Sequence, residues 1–275
     1  MTTRLSLWIR WSIVALALLM AWGCAVPSRF RGPFRPAPTP TVEELVGPLR
    51  QRLQPVKTLR FKAQVSAWQS RRPGRLHFEA LAGIEPPNQL RLRAYRSATV
   101  TIFDLLANEK GLHLHDAVNN EYYAADYATL RRADSLWAAF TPSLLVQALT
   151  VEQSILERVA SARAVSLHRH WGTFELRIEN ADGSARFFFD RKSRDLVSLI
   201  HEGAGSQGTT RLRYGKMVEV EGVRLPQWVE VDHRPTRIRL RLEITEYKVN
   251  QSFPPGAFVL KAPAGKQWLP LETFR

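Results

Sequence analysis

Cysteine is all but missing from this chain. Cys24 is the only one among 275 residues, so no intrachain disulfide can form and no thiolate cluster can hold a metal. The catalytic signatures that show in a sequence are missing too: there is no Gly-x-Ser-x-Gly elbow, no Walker loop, no dinucleotide fingerprint and no His-Glu-x-x-His. Long apolar runs are scarce. Trp11 to Trp22 is apolar apart from Ser12, but a helix needs about 20 residues to cross a bilayer, and this stretch is too short. Acid is also in short supply, 25 Asp and Glu against 39 Lys and Arg, for a formal charge of +14. A disulfide scaffold is excluded, a helical span is argued against, and a hydrolase would lack its usual cue.

The first 23 residues have the layout of an export signal. Arg4 and Arg10 form a positive start, and Trp11 to Trp22 is the length of a signal-peptide apolar region. Met20-Ala21-Trp22-Gly23 then leads into Cys24 and resembles a bacterial lipobox, in which small residues precede the cysteine that is acylated. A lone thiol in an exported protein needs a reason, and acylation is one. Each buried CH₂ adds roughly 0.8 kcal/mol, so two or three acyl chains on Cys24 would anchor the chain to a membrane. Ala25 follows where Asp would signal retention at the inner membrane, which points to the outer membrane. An exported basic protein meets anionic lipid headgroups rather than nucleic acid. A surface that is basic without a partner is the alternative.

Residues 24–40 read as the acylated cysteine and an extended linker. Pro27, Pro33, Pro36, Pro38 and Pro40 alternate with Arg29, Arg31 and Arg35. Residues 41–275 are expected to form one domain. Thr41-Val42-Glu43-Glu44 is a capping-box signature, and Val42, Leu45, Leu49 and Leu53 follow at helical spacing around Pro48. From residue 59 the period becomes two. Phe61, Ala63, Val65 and Ala67 alternate with polar residues, as do Leu76, Phe78 and Ala80, and Leu90 and Leu92. Val100 to Leu106, Leu112 to His115 and Tyr122 to Ala124 complete a first set of strands. Leu130, Ala133, Trp137 and Phe140 return to helical spacing, and Thr141-Pro142 opens a second helix with Leu144, Leu145, Ala148 and Leu149 on one stripe. Strands resume at Ala164 to His168, Phe174 to Ile178, Ala185 to Phe189, Leu196 to Ile200, Thr210 to Tyr214, Trp228 to Asp232 and Arg237 to Val249. In the last, Ile238, Leu240, Leu242 and Ile244 face one way and charged residues the other, so one face is covered and one wet.

Polar chemistry is thin. His113-x-His115 and His168-x-His170 each place two imidazoles on one strand face, but no third ligand stands at a matching spacing, so they are expected to be solvent-facing. Glu43-Glu44 and Asp190/Asp195 fall in helix or turn positions and read as solvated charges. Gly203-Ala204-Gly205-Ser206 follows a strand without opening a helix, so it reads as a hairpin loop. The surplus is aromatic: eight Trp, thirteen Phe and six Tyr, bulk that fills a core or lines a cavity.

The order of elements resembles the LolA/LolB-like proteins, periplasmic carriers and outer-membrane acceptors of lipoproteins. Asn88 to Asp126, Trp137 to Leu149 and Leu225 to Val231 with the strand after it carry the likeness, and Phe253 to Pro263 is similar to the end of LolA-type chains. The resemblance implies an α+β, mostly β fold: an unclosed antiparallel β-barrel with helices covering its apolar concave side. It implies a cavity for acyl chains of lipoproteins or lipids, lined by Phe61, Val65, Phe78, Leu90, Leu92, Phe174, Leu176, Val229, Leu240 and Leu242, with Trp137, Leu144, Leu145 and Leu149 from the helices. It further implies a monomer without cofactor or covalent chemistry, placing lipoproteins or lipids at the outer membrane. The alternative is a sensor or scaffold of the same fold that binds a lipid or partner protein. One departure stands out. LolB carries an exposed leucine on a projecting loop, and the matching turn here, Tyr95-Arg96-Ser97-Ala98, is short and has none.

Overall fold

A computed structural model describes residues 39–52, 54–69, 75–97, 100–132, 137, 140, 142–181, 183–203, 208–234 and 237–274. The segment read as an export signal, Cys24 and nearly all of the segment read as a linker lie outside them. Residues 39–275 form one compact unit.

Helix α1 (Val42–Arg52) starts as its sequence dictates. The Thr41 hydroxyl accepts the Glu44 amide at 3.1 Å, and the Glu44 carboxylate accepts the Thr41 amide at 2.6 Å. Pro48 sits inside it. The first strands are β1 (Leu59–Gln69), β2 (Arg75–Glu85), β3 (Gln89–Ser97), β4 (Val100–Ala107), β5 (Leu112–Asp116) and β6 (Glu121–Ala125). Helices α2 (Tyr127–Arg132), α3 (Pro142–Leu149) and α4 (Val151–Ala160) come next. Then follow β7 (Ala164–Arg169), β8 (Thr173–Asn180), β9 (Gly183–Asp190), β10 (Leu196–Gly203), β11 (Thr209–Tyr214), β12 (Met217–Val220), β13 (Val223–Pro226), β14 (Trp228–His233) and β15 (Ile238–Val249). A short strand, β16 (Trp268–Pro270), and a 3-10 turn over Leu271–Thr273 close the described chain.

Among the described residues one 14-stranded sheet runs in the order β16-β6-β5-β4-β3-β2-β1-β15-β14-β11-β10-β9-β8-β7. Neighbours are antiparallel except β16, which lies parallel to β6. Two local meanders are joined where β15 pairs with β1, and the edges β16 and β7 stay apart, so the sheet is open. The alternation of β15 breaks after Ile244 for a visible reason. Lys62 opposes Glu246 while Ala63 opposes Ile244, leaving Thr245 as the extra residue of a bulge.

Each meander turns a row of apolar side chains to the same face. One row runs from Ala67 through Leu240, Val231, Leu212, Leu199, Phe187 and Leu176 to Leu167. The other runs from Phe61 through Ala82, Leu92, Leu105 and Leu114 to Tyr123. A fully buried Leu or Phe contributes roughly 1.5–3 kcal/mol, so these rows are the main source of stability. This inner face is covered in two ways. Leu45, Val46 and Leu49 of α1, Leu145, Ala148 and Leu149 of α3, and Val151 and Ile155 of α4 join the same core. Of these helices, α1 packs on β7, α3 on β14 and α4 on β8, all in the second meander. Over the first meander sits an aromatic chain, Phe78 on Phe103, Phe103 on Trp137, Trp137 on Phe274 and Phe274 on Tyr123, with centroids 5.1–5.4 Å apart.

Helix α4 and the β12–β13 hairpin are absent from the expectations. Thr150 separates α3 from α4 because its amide and its hydroxyl both bond back to the Val146 carbonyl, at 2.8 and 2.7 Å, so it caps nothing ahead. The hairpin turns on Glu221 and Gly222, both at positive φ, the geometry of a tight two-residue turn.

Candidate functional site

The lining residues named above nearly all come together. Phe61, Val65, Phe78, Leu90, Leu92, Leu176, Val229, Leu240 and Leu242 from the sheet and Trp137, Leu145 and Leu149 from the cover are buried in one cluster. Leu144 is half-buried at its margin. Phe174 stands apart: it is buried, but at the start of β8, with Arg194 and Arg191 guanidiniums 4.6 and 5.7 Å from its ring centre. Side chains and cover meet closely. A void of about 20 Å³ lies at one rim, where Gln54, Thr150, Val223 and Arg224 meet. There Arg224 bonds Asp195 at 2.5 Å and lies 3.7 Å from Glu152, so Asp195 is paired rather than merely solvated.

The outer face is different. Lys62, Arg91, Arg93 and Lys248 project from it, and the chain after β15 crosses it. Asn250 caps the crossing by accepting the Lys57 amide at 2.7 Å, and the Arg91 guanidinium donates to the Ala257 carbonyl at 2.7 Å. Lys266 reaches the Asn120 carbonyl at 3.1 Å, β16 pairs with β6, and Leu271 and Phe274 then enter the inner core. Between this tail and strands β15, β1, β2 and β3 lies a cleft of about 440 Å³. Gly83 lets the tail approach: a Cβ there would stand 2.7 Å from Phe253 Cε1.

The histidine pairs face outward as expected, but one pair is not free in solvent. His113 is half-buried with its ring 5.0 Å from Trp268, and His115 stacks on Tyr122 at 4.4 Å. Burial pushes the His113 imidazole below its ordinary range, and does the same to His233 on β14 against a smaller opposing effect of Asp232. His170 bonds Glu175 at 2.6 Å. No group of three or more His, Cys, Asp or Glu that could hold a metal occurs among the described residues.

Sequence reasoning missed Trp171. It lies 98% exposed at the tip of the β7–β8 hairpin. Arg191 fixes the tip by donating to the Trp171 carbonyl at 3.0 Å, and its amide bonds the Gly172 carbonyl at 3.1 Å. Arg169, Lys192 and Arg194 surround it in sequence or across this turn. The signal was legible: a Trp-Gly pair between two alternating strands puts the Trp in a turn. The turn between β3 and β4 is short, as expected. Ser97 pairs with Val100, and residues 98 and 99 between them lie outside those described.

No sequence-family profile and no curated protein matches the chain. Solved structures do. A DUF1329-family protein from Desulfovibrio piger superposes with a TM-score of 0.52 at 8% identity, over 78% of this chain and 95% of that one. A LolA-superfamily protein from Nitrosomonas europaea superposes with a TM-score of 0.51 at 6% identity, over 80% of this chain and 98% of the other. The open antiparallel sheet, its covered apolar face and these likenesses agree: the chain has the LolA/LolB-like fold.

Proposed function

We propose that this chain is an outer-membrane lipoprotein, tethered through acylated Cys24, that receives an acyl chain of a lipoprotein or lipid on its inner apolar face. The observation that carries this is the unbroken apolar row from β1 to β7 lying under short, separate helices of 8 to 11 residues. Short helices that meet the sheet over few residues can part from it without unfolding it. Binding would then rest on buried area, without covalent chemistry. The basic, aromatic tip at Trp171 supports delivery at a membrane, because an exposed indole beside arginines suits an anionic headgroup layer. The fold shared with a LolA-superfamily protein supports the same reading. No described helix is long and apolar enough to cross a membrane, so a lipid on Cys24 would supply the attachment.

A second reading has its own support. The described inner-face residues lie buried in one core cluster with the covering helices, as in a sensor or scaffold of this fold. Native mass spectrometry of the chain extracted from a bacterial envelope separates the two. A carrier brings along acylated peptide or lipid and takes up added lipoprotein, and Leu144→Glu, at the half-buried margin, abolishes both. A chain that comes out bare and stays bare leaves the sensor. Labelled palmitate incorporated into the wild type but not into Cys24→Ser tests the anchor separately.

A further inference from the structure

We propose that the cleft between the tail and the outer face of β15, β1, β2 and β3 is a second binding site, for a single acyl chain bearing an anionic head. Its volume of about 440 Å³ falls within the roughly 300–1,000 Å³ typical of small-ligand sites. Its lining divides into two chemistries. The apolar part is Leu81 on the sheet and Phe253 and Phe258 on the tail, the two rings meeting edge-on at 4.8 Å. Leu81 is 44% exposed, a large apolar side chain left partly open to solvent.

The polar part is in excess of one sign. Arg60, Lys62, Lys248, Arg91 and Arg93 line the cleft with Glu246 as the carboxylate. Glu246 is shared by Lys62 at 2.6 Å and Lys248 at 3.6 Å, and Asp104, behind the lining, is shared by Arg91 and Arg93. Two acids therefore answer five bases. Among the described residues no acid pairs with Arg60. Its guanidinium lies over the Phe253 ring at 4.5 Å and donates through Nη2 to the Ser252 carbonyl at 2.6 Å, while its buried Nε–H has no partner. A surplus of cations around a concave site favours an anionic head placed among them. An apolar wall beside surplus cations fits an amphiphilic anion better than an inorganic ion or an uncharged lipid.

The site is distinct from the inner face. Phe61 and Ala82 reach the cleft from the strands whose side chains fill the core, but its other lining groups project from the opposite side of the sheet or come from the tail. The test titrates the chain from Thr39 to Arg275, a compact unit in itself, with dodecyl phosphate below its micellar concentration and follows the heat. One saturable site is expected. Arg60→Gln should weaken it about tenfold by removing a charge-assisted contact. Leu81→Trp, which fills the cleft from an exposed position, should abolish it, and Leu144→Glu on the inner side should leave it unchanged. Vesicles containing phosphatidylglycerol identify the source. Competition with dodecyl phosphate assigns a membrane-borne ligand, and its absence assigns a free one. Binding that survives Leu81→Trp, or that inorganic phosphate displaces as well as dodecyl phosphate does, overturns the proposal. Leu81→Trp should keep any uptake of acylated lipoprotein, so failure here is separable from failure of the inner-face reading.

Discussion

Asp104 accepts both arms of the Arg91 guanidinium, Nε at 3.0 Å and Nη2 at 2.7 Å, although it belongs to the strand face opposite the core. Arg93 adds contacts at 3.1 and 3.3 Å to the same oxygen. The carboxylate is 8% exposed with both guanidiniums on it, and Arg91 continues to the tail carbonyl of Ala257. This pair therefore ties β3 and β4 to a segment about 150 residues later in the chain. Asp104→Asn keeps the shape and leaves two guanidiniums uncompensated. A loss of about 2–3 kcal/mol is expected from breaking one side of a largely buried pair, read as a lowered urea midpoint. The double variant with Arg91→Met should recover part of it.

The far end of the tail is a plug. Leu271 is 1% exposed and belongs to the inner core, and Phe274 meets both Trp137 and Tyr123 edge-on. Leu271→Ala should cost about 2–4 kcal/mol, as for other buried leucines. Because the plug meets the sheet through β16 and β6, amide exchange in those two strands should rise more than in β1. Uniform protection across all three strands would show that the plug is not a local element.

Two imidazoles set a pH window. Burial lowers the pKa of His113 and of His233 in the folded chain. Below the ordinary value of about 6.5 the unfolded chain takes up protons that the folded one refuses. Stability from these groups is thus complete above about pH 6.5 and declines as pH falls towards their folded values. Urea midpoints measured from pH 7.5 to 5 should fall, and His113→Gln should flatten the slope. The lowered carboxylates Asp190 and Asp126, held by backbone amides of their own turns, act in a separate window below the ordinary carboxylate range.

Trp171 contributes nothing to packing, so Trp171→Ala should leave the urea midpoint within about 0.5 kcal/mol of wild type. Co-sedimentation with anionic vesicles should nevertheless weaken several-fold, and adding salt should weaken it further. Equal binding of variant and wild type would remove the tip from any membrane role.

Much of the architecture was legible because period and burial agree. The capping box at Thr41 and Glu44, the alternation of β1 and β3 and the stripe of α3 each follow from local residue choice, and each is present. What was not legible depends on distant parts of the chain. Val151, Ile155 and Val159 carry a helical stripe, but its start is hidden because Thr150 bonds backwards to Val146. Phe253 and Phe258 look like loop residues until Gly83, about 170 positions earlier, admits one of them to the sheet surface. The outer cleft escaped notice for the same reason: its cations alternate on several strands and read there as an ordinary wet face. Phe174 shares the alternation of the core, yet the turn after β9 brings Arg191 and Arg194 onto it instead.

The pairing of Leu59 with Val249 makes one sheet of two meanders, and it does so across most of the chain. Each meander is built from neighbours in sequence and can form early, but the seam between them must wait for loop closure over nearly the whole domain. Until the last strand of the second meander is available, β1 has an open edge and an apolar side from Phe61 to Ala67. Such an edge templates other strands. A chain stopped short of Val249 would therefore be more than an incomplete protein: a strand with one wholly apolar side would be left seeking a partner in another molecule.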